Sequence, residues 1–258
     1  MDLHLSGGVA LVAGSSRGIG KAIARAFLAE GCRTAISGRR PDSLAQTASE
    51  FTQEFGPGRV LAIEGDLTRF DVIQQTLGKI RTLWGRIDCL VANIGHGRGK
   101  LGWDLRDADW FSSFETNLWG SIRLVTEALG EMTQAQAGSI VLIASITGVE
   151  STSAPLAYSA AKAALVNYGK NLGRLVGPHQ VRINCVAPGN ILFPGGAWER
   201  RLAEHHEAIK RYITDNVPLQ RFGRPEEIAD LVVFLSSDRA SFITGACIVA
   251  DGGQTRSL

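Results

Sequence analysis

The 258-residue chain contains no apolar run approaching the ~18 residues that a bilayer-spanning helix needs, so no segment is expected to cross a membrane. Its opening residues, MDLHLSGG, carry neither the basic start nor the apolar stretch of a secretory signal. An excess of one charge sign is missing too: 27 Lys and Arg against 25 Asp and Glu give a formal net charge of +2, which gives no support for a nucleic-acid or anionic-membrane partner. Cysteine is sparse. Cys32, Cys89, Cys185 and Cys247 lie far apart without metal-ligand spacing, and three of them fall in or beside apolar runs. Buried, reduced thiols in a cytoplasmic protein are expected, and no metal. No linker, composition break, repeat or low-complexity tail divides the chain, so a single domain over 1–258 is expected.

What is present is an alternation of short apolar runs and amphipathic stretches. VALVAG (9–14) suits a strand buried on both faces of a parallel sheet. Gly14, Ser16, Arg17, Gly18, Ile19 and Gly20 follow as a glycine-rich turn, and KAIARAFLAEG then reads as a helix stopped by Gly31. A helix N-terminus behind a glycine turn offers free N–H groups and a partial positive charge to a pyrophosphate. The spacing is G-x-x-x-G-x-G, so the strand and helix around it carry the argument, since the motif alone is also an ordinary tight turn.

RTAISGRR (33–40) is the second strand and its end. An acidic residue there would hold the ribose 2′-hydroxyl of NAD(H). None is present. Gly38, Arg39 and Arg40 stand at that point, with Arg17 in the glycine turn, and arginine forks suit a 2′-phosphate. NADP(H) is therefore expected over NAD(H). Further helices are read at 41–56, at about 69–84, through a long pattern at 107–135 containing Asn117, and from about Pro225 to Leu235. Further strands are read at 59–67, 87–93, 139–145, 181–190 and 246–253. Asp66 is a candidate for the adenine amino group, with Leu67 beside the ring, or else a cap for the next helix. Asn93 and Gly95 fall at the carboxyl end of the fourth strand, where ligands bind in open α/β sheets.

PLAYSAAKAALVNYGKNLGRLV (155–176) reads as a helix started by Pro155. Tyr158 and Lys162 are four apart and share a face, so a phenol stands within reach of an ammonium. A nearby positive charge is expected to lower the tyrosine pKa and to tune it for proton exchange with a substrate oxygen.

AGSSRGIG at 13–20, Asn117, Ser145 thirteen residues before Tyr158, Lys162, and the ending SDRASFITGACIVADGG at 237–253 together resemble the short-chain dehydrogenase/reductase family over nearly the whole chain. The overall likeness is to its 3-oxoacyl-carrier-protein reductase-like branch. The resemblance implies a Rossmann-type doubly wound fold with a seven-stranded parallel sheet in the order 3-2-1-4-5-6-7. It implies a catalytic tetrad of Asn117, Ser145, Tyr158 and Lys162. Tyr158 would be the proton donor or base, and Ser145 would bond the substrate oxygen. Lys162 would hold the nicotinamide ribose and lower the Tyr158 pKa, while Asn117 would kink its helix and hold a water. Pro188 and Gly189 would pass the nicotinamide, with Ile191 meeting its carboxamide through main-chain groups. The sequence departs from the family pattern at Ala13, Ile94 and Phe193, the last replacing a threonine that often bonds the carboxamide. A homotetramer is also implied, through the 107–135 and 155–176 helices and the last strand.

Three stretches would surround the substrate: 94–104, 146–156 and 190–217. The first carries His96, Arg98 and Lys100 and reads as a solvated basic loop, with closure on an anionic or polar substrate as the alternative. The last is expected to form a lid with Phe193 and Trp198 on its inner face. Adjacent His205 and His206 point in different directions on a helix, against a metal site. The resulting expectation is an NADP(H)-dependent oxidoreductase acting on a carbonyl or secondary alcohol, a 3-oxoacyl reductase in one form. A sugar or polyol dehydrogenase, and a non-catalytic cofactor-binding protein, are the alternatives.

Overall fold

The computed structural model describes residues 2–256. Seven strands form its sheet: β1 (Val9–Val12), β2 (Arg33–Gly38), β3 (Val60–Glu64), β4 (Cys89–Ala92), β5 (Gly138–Ile143), β6 (Val181–Pro188) and β7 (Cys247–Ala250). Their order is β3-β2-β1-β4-β5-β6-β7, and every neighbouring pair is parallel. The order implied by the family resemblance is thus the observed one.

Period-two alternation explains why these runs read as continuously apolar. Val9 and Leu11 enter one core with Leu90, Ile140, Leu142 and Ile183, while Ala10 and Val12 enter the other with Ile36, Val91, Val141 and Val186. A strand covered on both faces has no polar side to show. The first core is closed by α3 (Phe70–Trp84), α5 (Gly120–Ala135) and α6 (Leu156–Val176), and the second by α1 (Gly18–Ala29), α2 (Pro41–Phe55) and α9 (Pro225–Ser236). Fully buried Phe27, Leu28 and Ile23 of α1 meet α9 across that second layer. Each such side chain contributes roughly 1.5–3 kcal/mol by leaving water.

Two elements differ in detail from the reading of the sequence. The 107–135 helical pattern is split into α4 (Asp107–Phe114) and α5 by one π-helical turn, Glu115–Trp119, at Asn117, where the family resemblance implies a kink. Its apolar periodicity runs on through the turn, so the extra residue leaves no mark on the pattern. The 190–217 stretch forms two helices, α7 (Ala197–Glu204) and α8 (His206–Asn216), broken at His205. The strands also end earlier than the apolar runs do, because Ala13-Gly14, Asp66-Leu67 and Asn93 already belong to the loops at the carboxyl edge. That edge is where the site forms.

Candidate active site

One cleft of about 470 Å³ runs along the carboxyl edge. All the site residues singled out from the sequence line it except Gly18, Gly20 and Asn117. Sheet order lays the cleft out from left to right. Gly38, Arg39, Arg40, Asp66 and Leu67 lie over β2 and β3, Gly14, Ser16, Arg17 and Ile19 over β1, Asn93 and Gly95 over β4, Ser145 over β5, and Pro188 to Ile191 over β6.

The glycine turn is braced by serines. Ser15 Oγ donates to the Val12 carbonyl (2.6 Å) and accepts from the Ser37 amide (2.9 Å), while Ser37 Oγ accepts from the Gly14 amide (3.1 Å). Asn93 Nδ2 donates to the carbonyls of Ala13 (3.2 Å) and Gly14 (3.1 Å). Gly18 has φ +55, and a Cβ there would stand 2.6 Å from the Phe193 ring. Gly20 lies under the turn, where a Cβ would meet the Gly14 carbonyl at 2.4 Å. Gly18 and Gly20 therefore shape the turn from outside the cleft. No side chain caps α1 and no acidic residue lies in its first turn, so its N-terminal amides remain available to an anion.

Beyond β2, Arg39 lies 3.6 Å from Asp66, and both are substantially open to solvent. Asp66 also accepts from the Thr68 amide (3.0 Å) and hydroxyl (2.9 Å), so it caps the turn before α3 while facing the cleft. Among the described residues, no ion pair neutralises Arg17, Arg40, Arg98 or Arg200, all of which line the cleft. Burial and the neighbouring arginines Arg98, Arg40, Arg200 and Arg39 hold the Arg17 pKa below its ordinary value. A cradle of glycines before an uncapped helix, flanked by unpaired guanidinium groups, fits a dinucleotide that carries an extra phosphate.

At the centre, Ser145 lies two residues past β5 in extended conformation, and its hydroxyl accepts from the Thr147 amide (3.3 Å). Tyr158 lies in the first turn of α6, facing Ser145. Burial pushes its pKa above the ordinary phenol value, and the hydrogen bond with Ser145 offsets part of that rise. Lys162, one turn on, is buried at 4% exposure, and its ammonium donates to the Ile143 carbonyl at 2.7 Å. Burial lowers its pKa to about 8. The expected lowering of the Tyr158 pKa by Lys162 is therefore not seen in this structure. The ammonium is held on Ile143, 6.0 Å from the Tyr158 ring centroid, and desolvation sets the direction of the phenol's shift.

Asn117 sits in the π turn, fully buried. Its Oδ1 accepts from the His96 amide (2.8 Å), and its Nδ2 donates to the Ser113 carbonyl (3.0 Å). A Cβ on Gly95 would meet that Oδ1 at 2.4 Å. The Asn117 side chain thus ties the loop after β4 to the helix, and it does not face the cleft.

On the β6 side, Ile191 pairs with Gly223 in a parallel bridge: the Leu192 amide donates to Gly223 and the Gly223 amide to Asn190. That pairing leaves the Ile191 amide and carbonyl directed to the other side, where Ile191 lines the cleft. Phe193 and Trp198 both line it, as expected of a lid's inner face. Trp198 stacks on Tyr212 of α8 with centroids 5.6 Å apart, and Arg201 lies 4.9 Å over the Trp198 ring. Thr152, Ser153, Asn190 and Tyr212, from two of the stretches expected around the substrate, also line the cleft, as do Ser37 of β2 and Gln254 after β7, which no motif marks. His96 and Arg98 line the cleft as well, whereas Lys100 pairs with Asp104 outside it. Among the described residues no group of His, Cys, Asp or Glu could hold a metal, and no helix is long and apolar enough to cross a membrane.

A family model described as enoyl-(acyl carrier protein) reductase matches residues 13–255. The 3-oxoacyl-[acyl-carrier-protein] reductase of Aquifex aeolicus is 35% identical over 254 residues, covering 98% of this chain and all of the relative. Among solved structures, the L-sorbose reductase of Gluconobacter frateurii, complexed with NADPH and L-sorbose, superposes with a TM-score of 0.92 at 32% identity, and each chain is wholly covered. YwfH, an NADPH-dependent reductase involved in bacilysin biosynthesis, gives the same TM-score at 28% identity over 98% of this chain and all of its own.

Proposed function

The chain belongs to the short-chain dehydrogenase/reductase family, and from that premise we propose that it is an NADP(H)-dependent oxidoreductase acting on a carbonyl or secondary alcohol. The observation that carries this reading is the convergence of Ser145, Tyr158 and Lys162 with the glycine turn and the unpaired arginines on one cleft. A protein that only sensed the cofactor would need the turn but not the triad.

The cofactor fits by its parts. Gly38, Arg39, Arg40 and Arg17 would hold the 2′-phosphate, and Asp66 and Leu67 the adenine. The amides of Gly14 to Gly20, with Ser16 and Ile19, would hold the pyrophosphate. Asn93, Gly95, Pro188, Gly189 and Ile191 would border the ribose and nicotinamide. Lys162 would bind the nicotinamide ribose hydroxyls. When bound, the cofactor supplies a hydride at the nicotinamide C4.

In reduction, Tyr158 Oη donates a proton to the carbonyl oxygen, and the Ser145 hydroxyl hydrogen-bonds the same oxygen. A phenol at or above its ordinary pKa is protonated at neutral pH, the form in which Tyr158 can donate. In oxidation, Tyr158 takes the alcohol proton. Asn117 acts by positioning: its hold on His96 and Ser113 fixes the loop that borders Tyr158. The 190–217 stretch serves as the lid of a single domain. NADPH consumption measured against ketone, 3-oxoacyl and ketose panels tests the reading. Turnover with NADPH above NADH is expected, and tight NADPH binding without turnover of any carbonyl would favour the binding protein.

The family likeness and the exposed apolar side chains Phe111, Trp119, Leu175 and Phe242 support a homotetramer. Light scattering at the monomer mass would count against it. Four free cysteines, three of them buried, suit a reducing cytoplasmic setting.

A further inference from the structure

The carboxyl-terminal residues close the cleft at the end farthest from Arg39 and Arg40, with Arg200 and Arg201 of the lid nearby. β7 ends at Ala250, and Asp251 folds the chain back: its Oδ1 accepts from the Gly253 amide (2.9 Å) and its Oδ2 from the Thr255 amide (2.7 Å). The Arg256 amide then donates to Glu150 Oε2 (2.7 Å), in the loop that leads to Tyr158. This turn places Gln254 inside the cleft. Asn190 Nδ2 donates to Gln254 Oε1 (2.7 Å), and Gln254 Nε2 donates to the Tyr212 hydroxyl (3.0 Å). Asn190 is buried, and Trp198 stacks on Tyr212. The tail thereby joins the end of β6 to the lid.

The relay is held from both sides and still has hydrogen bonds to give. One Nε2 hydrogen of Gln254 and the hydroxyl hydrogen of Tyr212 have no acceptor in it. Both residues line the cleft, with Thr152 and Ser153 on the adjoining wall. Sheet order puts this group over β6 and β7, beyond Ser145 and Tyr158 and away from the Arg39 and Arg40 end. A wall of fixed hydroxyl and carboxamide groups beside an aromatic face suits a ligand that carries hydroxyls along its length. It poorly suits an acyl chain, which would leave those groups unpaired on closure.

Building on the carbonyl-reductase reading above, we propose that the substrate is a polyhydroxylated carbonyl compound of the ketose type and that Gln254 and Tyr212 read its hydroxyls. Asn190 acts by positioning Gln254. The reaction is balanced by the cofactor hydride going to the carbonyl carbon and the Tyr158 proton to its oxygen, so the product is the corresponding polyol.

The test compares the whole enzyme with Gln254→Ala and Tyr212→Phe, using NADPH with fructose, sorbose, acetoacetyl-coenzyme A and 1,2-cyclohexanedione. The second variant keeps the ring that stacks on Trp198. The wild type is expected to prefer a ketose. Each variant is expected to lose about 10- to 100-fold more kcat/KM on that ketose than on the dione, chiefly through KM. NADPH affinity, measured by fluorescence, should stay within about twofold. Equal losses on both substrates, or none, would overturn the assignment of Gln254 and Tyr212. Preference of the wild type for the thioester would overturn the ketose class and leave the reductase reading intact. Absence of turnover across the panel would overturn both.

Discussion

The Lys162 ammonium is bonded to the Ile143 carbonyl at 2.7 Å, and it does not reach the Tyr158 hydroxyl one helical turn away. β5 therefore anchors the lysine, and the tyrosine is left to its own desolvation and to Ser145. Burial of a cation in this way is a standing cost to the fold, which the hydrogen bond only partly offsets.

That cost has a pH signature. The folded pKa of Lys162 is lowered to about 8, whereas an unfolded lysine keeps its ordinary ~10.4. Below about pH 8 both states hold the proton, and the penalty is complete. Between about 8 and 10.4 the unfolded state binds more protons, so stability rises with pH. Denaturant unfolding of wild type and Lys162→Met should show the wild type gaining on the variant across that window. A constant difference from pH 7 to pH 10 would contradict the shift.

The turn and the lid are coupled through Gly18 and Phe193. Gly18→Ala forces a side chain into φ +55 and places its Cβ 2.6 Å from the Phe193 ring. A loss of about 1–2 kcal/mol from the backbone alone is expected, with more from the clash. The double variant Gly18→Ala/Phe193→Ala should recover the clash and retain the backbone loss. Additive effects in urea unfolding would show that the two residues do not touch.

In the proposed reading, cofactor choice rests on the arginines beyond β2. Arg39→Ala/Arg40→Ala should weaken NADPH binding by at least about tenfold and change NADH binding little, since each charged contact to phosphate is worth about 1.5–3 kcal/mol. Titration of intrinsic fluorescence with both nucleotides reads this directly. Equal weakening of both would place the phosphate elsewhere.

The thiols should be inert. Burial pushes the Cys32 and Cys185 thiols up to about 12, and it raises Cys89 and Cys247 as well. A folded pKa above the unfolded value gives stability that is present below about pH 8.5 and fades as the unfolded thiols ionise. A maleimide probe should label native protein slowly at neutral pH and label all four cysteines after denaturation. Rapid native labelling of Cys32, Cys89 or Cys185 would contradict their burial.

How much of this was legible in the sequence depends on how local each feature is. The sheet and its helices follow from short apolar runs such as VALV and CLVA, because both faces of a parallel strand are covered. The glycine turn, Arg39, Ser145, Tyr158 and Lys162 were found because a spacing or a strand end marks them. No local pattern marks the π turn, since Asn117 lies in a stretch that looks helical on both sides, and only the family resemblance implies a kink there. The direction of the Tyr158 pKa is not local either. Spacing brings Lys162 to the same face, but only the fold shows that Ile143 takes its ammonium. Asn190, Gln254 and Tyr212 come from three separate segments, so no local pattern joins them.

The central claim is that Tyr158 delivers the substrate proton in an NADPH-dependent reduction. The most direct measurement is NADPH consumption by wild type and Tyr158→Phe on the preferred carbonyl substrate, with nucleotide affinity measured in parallel. The variant is expected to lose at least ~10²–10⁴-fold in kcat while binding NADPH as the wild type does. A Tyr158→Phe enzyme that turns over near the wild-type rate would contradict it.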